Sequence, residues 1–208
     1  MELVWGFFAG VGQIILAHPL DTIKTWYQAN HPISYNPRNL YRGFAYPLIS
    51  NGIISSFAFQ AYRSCDNYLI GGITSGIVTA LTSYPFEYLK VRDQLKLTNT
   101  HFPKIGFATI TVREILACTA YYPVYDYLKK KSITTPIAGG LAGMSCWLIS
   151  YPADVVTTHA MMGKSLSTIF SELHYKAYFR GLTPALVRAF PVNALGFISY
   201  EYAKSILS

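Results

Sequence analysis

The chain has 208 residues, of which 51% are hydrophobic, 15% aromatic and only 13% charged. Soluble domains carry about 25% charged residues, so the composition fits a membrane protein with its cations at loops and helix ends better, and the length excludes a large soluble domain beside a membrane bundle. A net charge of +7 would ordinarily point to nucleic acid, but the cations are dispersed and no RNP, zinc-finger or helix-turn-helix pattern occurs, which excludes that partner.

A membrane span needs about 20 residues. The chain opens on an apolar run with no basic leader and no cleavage site, so it reads as a first span rather than a secretory signal. This run carries Gly6 and Gly10, then Pro19, Asp21, Lys24 and Gln28. A second apolar run starts after Arg42-Gly43 and ends at Tyr62, followed by Arg63 and Asp66. The third carries Gly72, Gly76, Pro85, Glu87, Lys90, Arg92 and Gln94. The fourth runs from Gly106 to Tyr125 and continues to Asp126 and Lys129. The fifth holds Gly139, Gly143, Pro152 and Asp154, with Thr157 and Met161 behind them. The sixth starts after Arg180-Gly181 and ends at Tyr200, Glu201 and Lys204.

These runs form an internal repeat. The three prolines stand 66 and 67 residues apart, and each is followed two residues later by a carboxylate. Each GxxxG pair ends nine residues before its proline, and small residues four apart let helix backbones approach closely in lipid. The glycine-to-tyrosine separation in the second, fourth and sixth runs is nineteen each time. The chain is expected to hold three helix pairs, 1–68, 69–131 and 132–208, giving six spans with both termini on one side. Proline inside a helix removes a hydrogen bond and bends it, which lipid tolerates when neighbours satisfy the freed carbonyl. Bending at Pro19, Pro85 and Pro152 should bring Asp21, Glu87 and Asp154 together at one end of the bundle. An acid and a base three residues apart share one helix face, and charges in a membrane persist as pairs.

The triple Pro-x-[Asp/Glu]-x-x-[Lys/Arg] pattern, with [Phe/Tyr]-[Asp/Glu]-x-x-[Lys/Arg] on the alternate helices, resembles the mitochondrial carrier family over nearly the whole chain. The resemblance implies an all-α membrane protein with six transmembrane helices in three pseudo-threefold repeats around a central cavity. It also implies a multi-pass monomer of the mitochondrial inner membrane, contacting lipid such as cardiolipin and carrying a small-molecule substrate by alternating access. Asp21–Lys90 and Asp154–Lys24 would then be matrix-side gate pairs, braced by Gln28 and Gln94. Thr157 and Met161 depart from the pattern, which leaves Glu87 without a cation from the fifth helix; His159 is near enough in sequence to stand in. A weaker matrix gate is expected. On the opposite side, Asp126-x-x-Lys129 and Glu201-x-x-Lys204 would form the cytoplasmic gate through Lys129–Glu201. Arg63 and Asp66 have their charges reversed, and Arg63 reaches either Asp126, Glu201 or the headgroups. The chain is short for the family, so the loops joining odd to even helices are expected to be cut back.

A polar residue facing the axis between two gates is a substrate candidate. Twelve and eleven residues before Tyr125 stand Arg113 and Glu114; the same offsets give Ser50 and Asn51, and Arg188. Arg113 and Arg188 would bind a carboxylate, Glu114 an amino group, and Asn51 would add a hydrogen bond. An Arg-Glu pair at this position is similar to amino-acid and carnitine-type carriers. The stretch Arg188-Ala189-Phe190-Pro191-Val192-Asn193-Ala194 resembles the sixth helix of ornithine and carnitine/acylcarnitine carriers. The chain has no carboxylate near Ile54, where basic amino-acid carriers place one. The +7 charge is read as favouring anionic groups inside the pore. A nucleotide or deoxynucleotide carrier, and a carrier-like scaffold that does not transport, stand as alternatives. Tyr121, Tyr122, Trp147, Tyr178 and Phe179 read as interface belt or packing. Cys65, Cys118 and Cys146 lack metal-ligand spacing and read as free thiols; neither a metal nor a cofactor nor an enzyme site is expected.

Overall fold

Among the described residues five long helices follow the order of the first five apolar runs. The protein is seen here in a computed structural model that describes residues 2–97, 103–189 and 192, with the backbone alone at residues 2–13 and 16. The long helices are α1 (Glu2–Gln28), α3 (Ala45–Arg63), α4 (Tyr68–Leu95), α5 (Lys104–Lys130) and α6 (Thr135–Met161). Short pieces lie between them: α2 (Pro37–Leu40), α7 (Leu166–Glu172) and a 3₁₀ turn at Tyr175–Phe179. Helical backbone resumes at 182–189. Among the described residues there is no strand.

Local chemistry sets the ends. Asn67 caps α4, its side chain accepting from the N–H groups of Leu69 and Ile70, which satisfies donors that a helix start leaves free. At the other end, Lys96 takes the left-handed conformation that stops α4. Pro19, Pro85 and Pro152 lie inside α1, α4 and α6. The carbonyl that Pro19 releases belongs to Ile15, and the Tyr41 hydroxyl donates to it at 3.2 Å, which is how a membrane helix tolerates the bend.

The 27 residues of α5 or α6 span about 40 Å, enough to cross a hydrocarbon core of about 30 Å. α4 packs between α3 and α5, α5 packs along α6, and α1 touches α3, α4 and α6. The contact between α4 and α5 is very close. A Cβ on Gly76 would stand 2.5 Å from the Ile115 Cα, and one on Gly72 would stand 2.8 Å from the Thr119 Cα.

The arrangement of polarity is that of a chain in lipid. On α4 the buried residues between Gly71 and Ser83 are small: Gly71, Gly72, Ser75, Gly76, Thr79, Ala80 and Ser83. Leu69, Ile70, Ile73, Ile77 and Leu81 face outward, as do Ile49, Ile53 and Phe57 on α3 and Leu148 and Ile149 on α6. In water such a belt would be a large exposed apolar patch. Six spans are expected from the apolar runs, yet among the described residues α4 alone is apolar enough by hydropathy to cross a membrane. α1, α5 and α6 turn Asp21, Lys24, Arg113, Glu114 and Asp154 toward one shared cavity.

Candidate functional site

That cavity has a volume of about 320 Å³ and lies between α1, α3, α4, α5 and α6, with Arg188 and Val192 also in its lining. Its described lining contains four acids, Asp21, Glu87, Glu114 and Asp154, and four bases, Lys24, Lys90, Arg113 and Arg188. The charges of the described lining therefore balance, although the chain as a whole carries +7.

The eight charges sort into two groups. In the first, Asp21 receives two bases: Lys90 Nζ at 3.1 Å from Oδ2, and Arg188 Nε at 2.9 Å from Oδ1. The Arg188 contact is ionic; its N–H is not aligned for a hydrogen bond. In the second, Arg113 stands among three acids. Its Nη1 and Nη2 donate to Glu87 in a two-pronged contact, both at 2.8 Å, and Nη1 lies 3.2 Å from Asp154 Oδ1. Arg113 also pairs with its neighbour Glu114. Lys24 Nζ closes this group at 2.6 Å from Asp154 Oδ2. Two bases to one acid leave the first group one positive charge; three acids to two bases leave the second one negative charge. Pairing of this kind is what allows ionised groups to persist in a bundle.

Helix geometry puts these side chains on one face. Asp21 and Lys24, and likewise Glu87 and Lys90, are three apart, so each pair shares one side of α1 or α4. Gln28, a turn beyond Lys24, donates to Asp154 Oδ2 at 2.6 Å and accepts from the Thr158 hydroxyl at 2.7 Å. Gln94 does something different. Its amide donates to Thr22 Oγ1 at 2.9 Å and its backbone carbonyl accepts from Trp26 at 3.0 Å, so it ties α4 to α1 and touches neither Asp21 nor Lys90. Asn51 lines the cavity from α3 beside Ser50.

Glu87 receives no cation from α6, as Thr157 implied, and takes one from α5 as Arg113. Two other readings are narrowed. His159 is not the substitute, because its Nδ1 lies 3.0 Å from the Val155 carbonyl on its own helix. Trp147 does not belong to an interface belt: it lines the cavity, with Lys24 Nζ 4.3 Å and Arg188 Cζ 5.2 Å from its ring centroid. A signal for it was present, since Trp147 precedes Asp154 by seven residues and so lies two turns away on the same helix face.

At the other end of the bundle Asp126 accepts from the Tyr62 hydroxyl at 2.7 Å. Lys129 donates to Thr135 at 2.9 Å. Arg63 lies over the Phe59 ring at 4.8 Å. Glu201 and Lys204, and with them the Lys129–Glu201 pair, lie outside the described residues, as does most of the sixth-helix stretch after Ala189. Among the described residues no group of His, Cys, Asp and Glu side chains is placed to hold a metal ion.

Comparison of the sequence with known proteins finds a family and several relatives. The family model described as "Mitochondrial carrier protein" matches residues 128–208. The mitochondrial arginine transporter BAC2 of Arabidopsis thaliana is 30% identical, covering 97% of this chain and 90% of that protein. The mitochondrial glycine transporter YMC1 of Saccharomyces cerevisiae is 25% identical, covering 99% and 91%. Solute carrier family 25 member 45 of Mus musculus is 24% identical, covering 97% and 96%. The alignment with BAC2 runs over 265 positions against a chain of 208 residues, so that relative carries segments this chain lacks.

Proposed function

The chain belongs to the mitochondrial carrier family, whose members are transporters rather than enzymes, and we propose that it carries an amino acid or carnitine-like zwitterion across the inner mitochondrial membrane by alternating access. The observation that carries this reading is the uneven split of the cavity charges. A group with one spare positive charge, around Arg188 and Lys90, suits a carboxylate; a group with one spare negative charge, around Glu114 and Glu87, suits an ammonium. A zwitterion matches both at once and leaves the cavity neutral. A nucleotide would bring several negative charges into a lining whose described acids and bases already balance.

In this reading the chain is a six-helix, multi-pass monomer of three repeats, 1–68, 69–131 and 132–208, seated in lipid that includes cardiolipin. Arg188 and Arg113 take the substrate carboxylate, Glu114 its amino group, and Asn51 a further hydrogen bond. Asp21–Lys90 and Lys24–Asp154, with Glu87, close the matrix side; Gln28 braces one of those pairs. Asp126, Lys129, Glu201 and Lys204 serve the opposite gate. Binding shifts the carrier between its states only by its differential affinity for them, so the substrate must offset the pairs it breaks. Relatives named as arginine and glycine transporters support an amino-acid substrate.

The test is exchange in liposomes with purified protein and a panel of amino acids, carnitine and nucleotides. Uptake of a zwitterion against an internal zwitterion is the expected result. Nucleotide exchange alone would overturn the substrate, and no exchange by folded protein would turn the reading to a scaffold.

A further inference from the structure

On α1 and α4 a lysine stands three residues after the acid of the proline segment: Lys24 after Asp21 and Lys90 after Glu87. On α6 the position after Asp154 is Thr157, which lines the cavity, is buried, and spends its hydroxyl on the Ala153 carbonyl of its own helix at 2.8 Å. α6 thus offers Glu87 no charge. Glu87 is nevertheless held at both oxygens by Arg113, and the same guanidinium reaches Asp154 on α6. It therefore joins α4, α5 and α6 through one side chain.

We propose that Arg113 is the closing charge that Thr157 does not supply, so that one residue both receives substrate and holds the matrix end of the cavity shut. The inference rests on the transport reading above and adds to it a cause for opening. When a substrate carboxylate takes Arg113, Glu87 and Asp154 lose a partner, and the gate weakens as the site fills. Burial makes an unpartnered charge costly, so the exchange succeeds only if something replaces Arg113 at the acids. An ammonium on the same substrate does so. A zwitterion thus trades partners with Arg113 without leaving an orphan charge, whereas a simple carboxylate leaves Glu87 bare.

The rescue experiment uses full-length protein carrying R113Q, R113Q/T157K and R113Q/T157R, compared with the unmodified chain by thermal unfolding in detergent and by zwitterion exchange in liposomes. The expected result is a lower Tm for R113Q, at least half of the loss recovered when either cation is placed at position 157, and exchange still lost in the rescued proteins. The arginine variant covers the case in which a lysine is too short to reach Glu87. If R113Q does not accumulate as folded protein, recovery of folded yield at R113Q/T157K or R113Q/T157R supports the same conclusion. No recovery with either cation overturns the closing role, and recovery of exchange together with Tm overturns the dual role. Thermal rescue does not depend on transport. If the unmodified chain exchanges no zwitterion while the rescue holds, the transport reading fails and the closing charge stands.

Discussion

Lys24 on α1 and Asp154 on α6 meet at 2.6 Å with their side chains only 10% and 2% exposed, and Gln28 donates to the same carboxylate oxygen. Residues 130 positions apart in sequence thus join two helices through a pair that water scarcely reaches. Removing one partner of a buried pair costs about 3–5 kcal/mol, because the other charge is left uncompensated. D154N should lower the thermal stability of the purified protein by that order. K24Q/D154N should lose less than the two single changes added, because the residues are in contact. Equal, additive losses in unfolding experiments would show that the two side chains act independently.

Trp147 faces both Lys24 and Arg188. A cation over an indole is worth about 0.5–2 kcal/mol. W147F should keep part of this attraction and W147L should lose it, with about a fivefold rise in the KM of exchange for W147L at a similar rate per folded molecule. Unchanged KM in W147L would mean that the ring only fills space.

Gly76 tests the packing of α4 on α5. A methyl group there would meet the Ile115 backbone at 2.5 Å, and the backbone cannot step aside as a flexible side chain would. G76A should sharply reduce the yield of folded protein, by the strain that overpacking imposes, about 1–3 kcal/mol or more. G52A on α3, where a Cβ meets nothing within 4 Å, should be tolerated. Equal yields of the two would count against the close approach.

Glu114 borders the acid-rich group and pairs with Arg113. E114Q removes one of its charges while keeping the shape. A hydrogen bond to a charged group is worth about 1.5–3 kcal/mol, so zwitterion exchange should fall at least about tenfold. Discrimination against an analogue lacking the amino group should fall with it. Competition assays with the two compounds measure both, and unchanged discrimination would remove Glu114 from the ammonium site.

Much of the fold was legible because its signals are local. A proline inside the first, third and fifth apolar runs, a carboxylate two residues on and, in two of them, a lysine at the next helical step depend only on the 3.6-residue turn, and the helices follow. The inward set of charges was legible for the same reason, since Asp21, Lys24, Glu87 and Lys90 recur at one offset. Gln94 reads like Gln28 because their repeat positions match, while its amide turns to Thr22 where α1 and α4 touch. Trp147 leaves belt and packing open because aromatic residues suit both, and only the neighbouring helices show that this one lies between two cations.

The sequence by itself determined the repeat, the helices and which residue types turn inward, because helix periodicity is written in the order of the residues. Tertiary structure alone decided which charge meets which. Arg113 answers Glu87 across 26 positions, and it can do so because Gly72 and Gly76 let α5 approach α4 closely enough for its side chain to reach. A pairing between helices depends on such distances, and distances between helices are set by packing rather than by spacing along the chain.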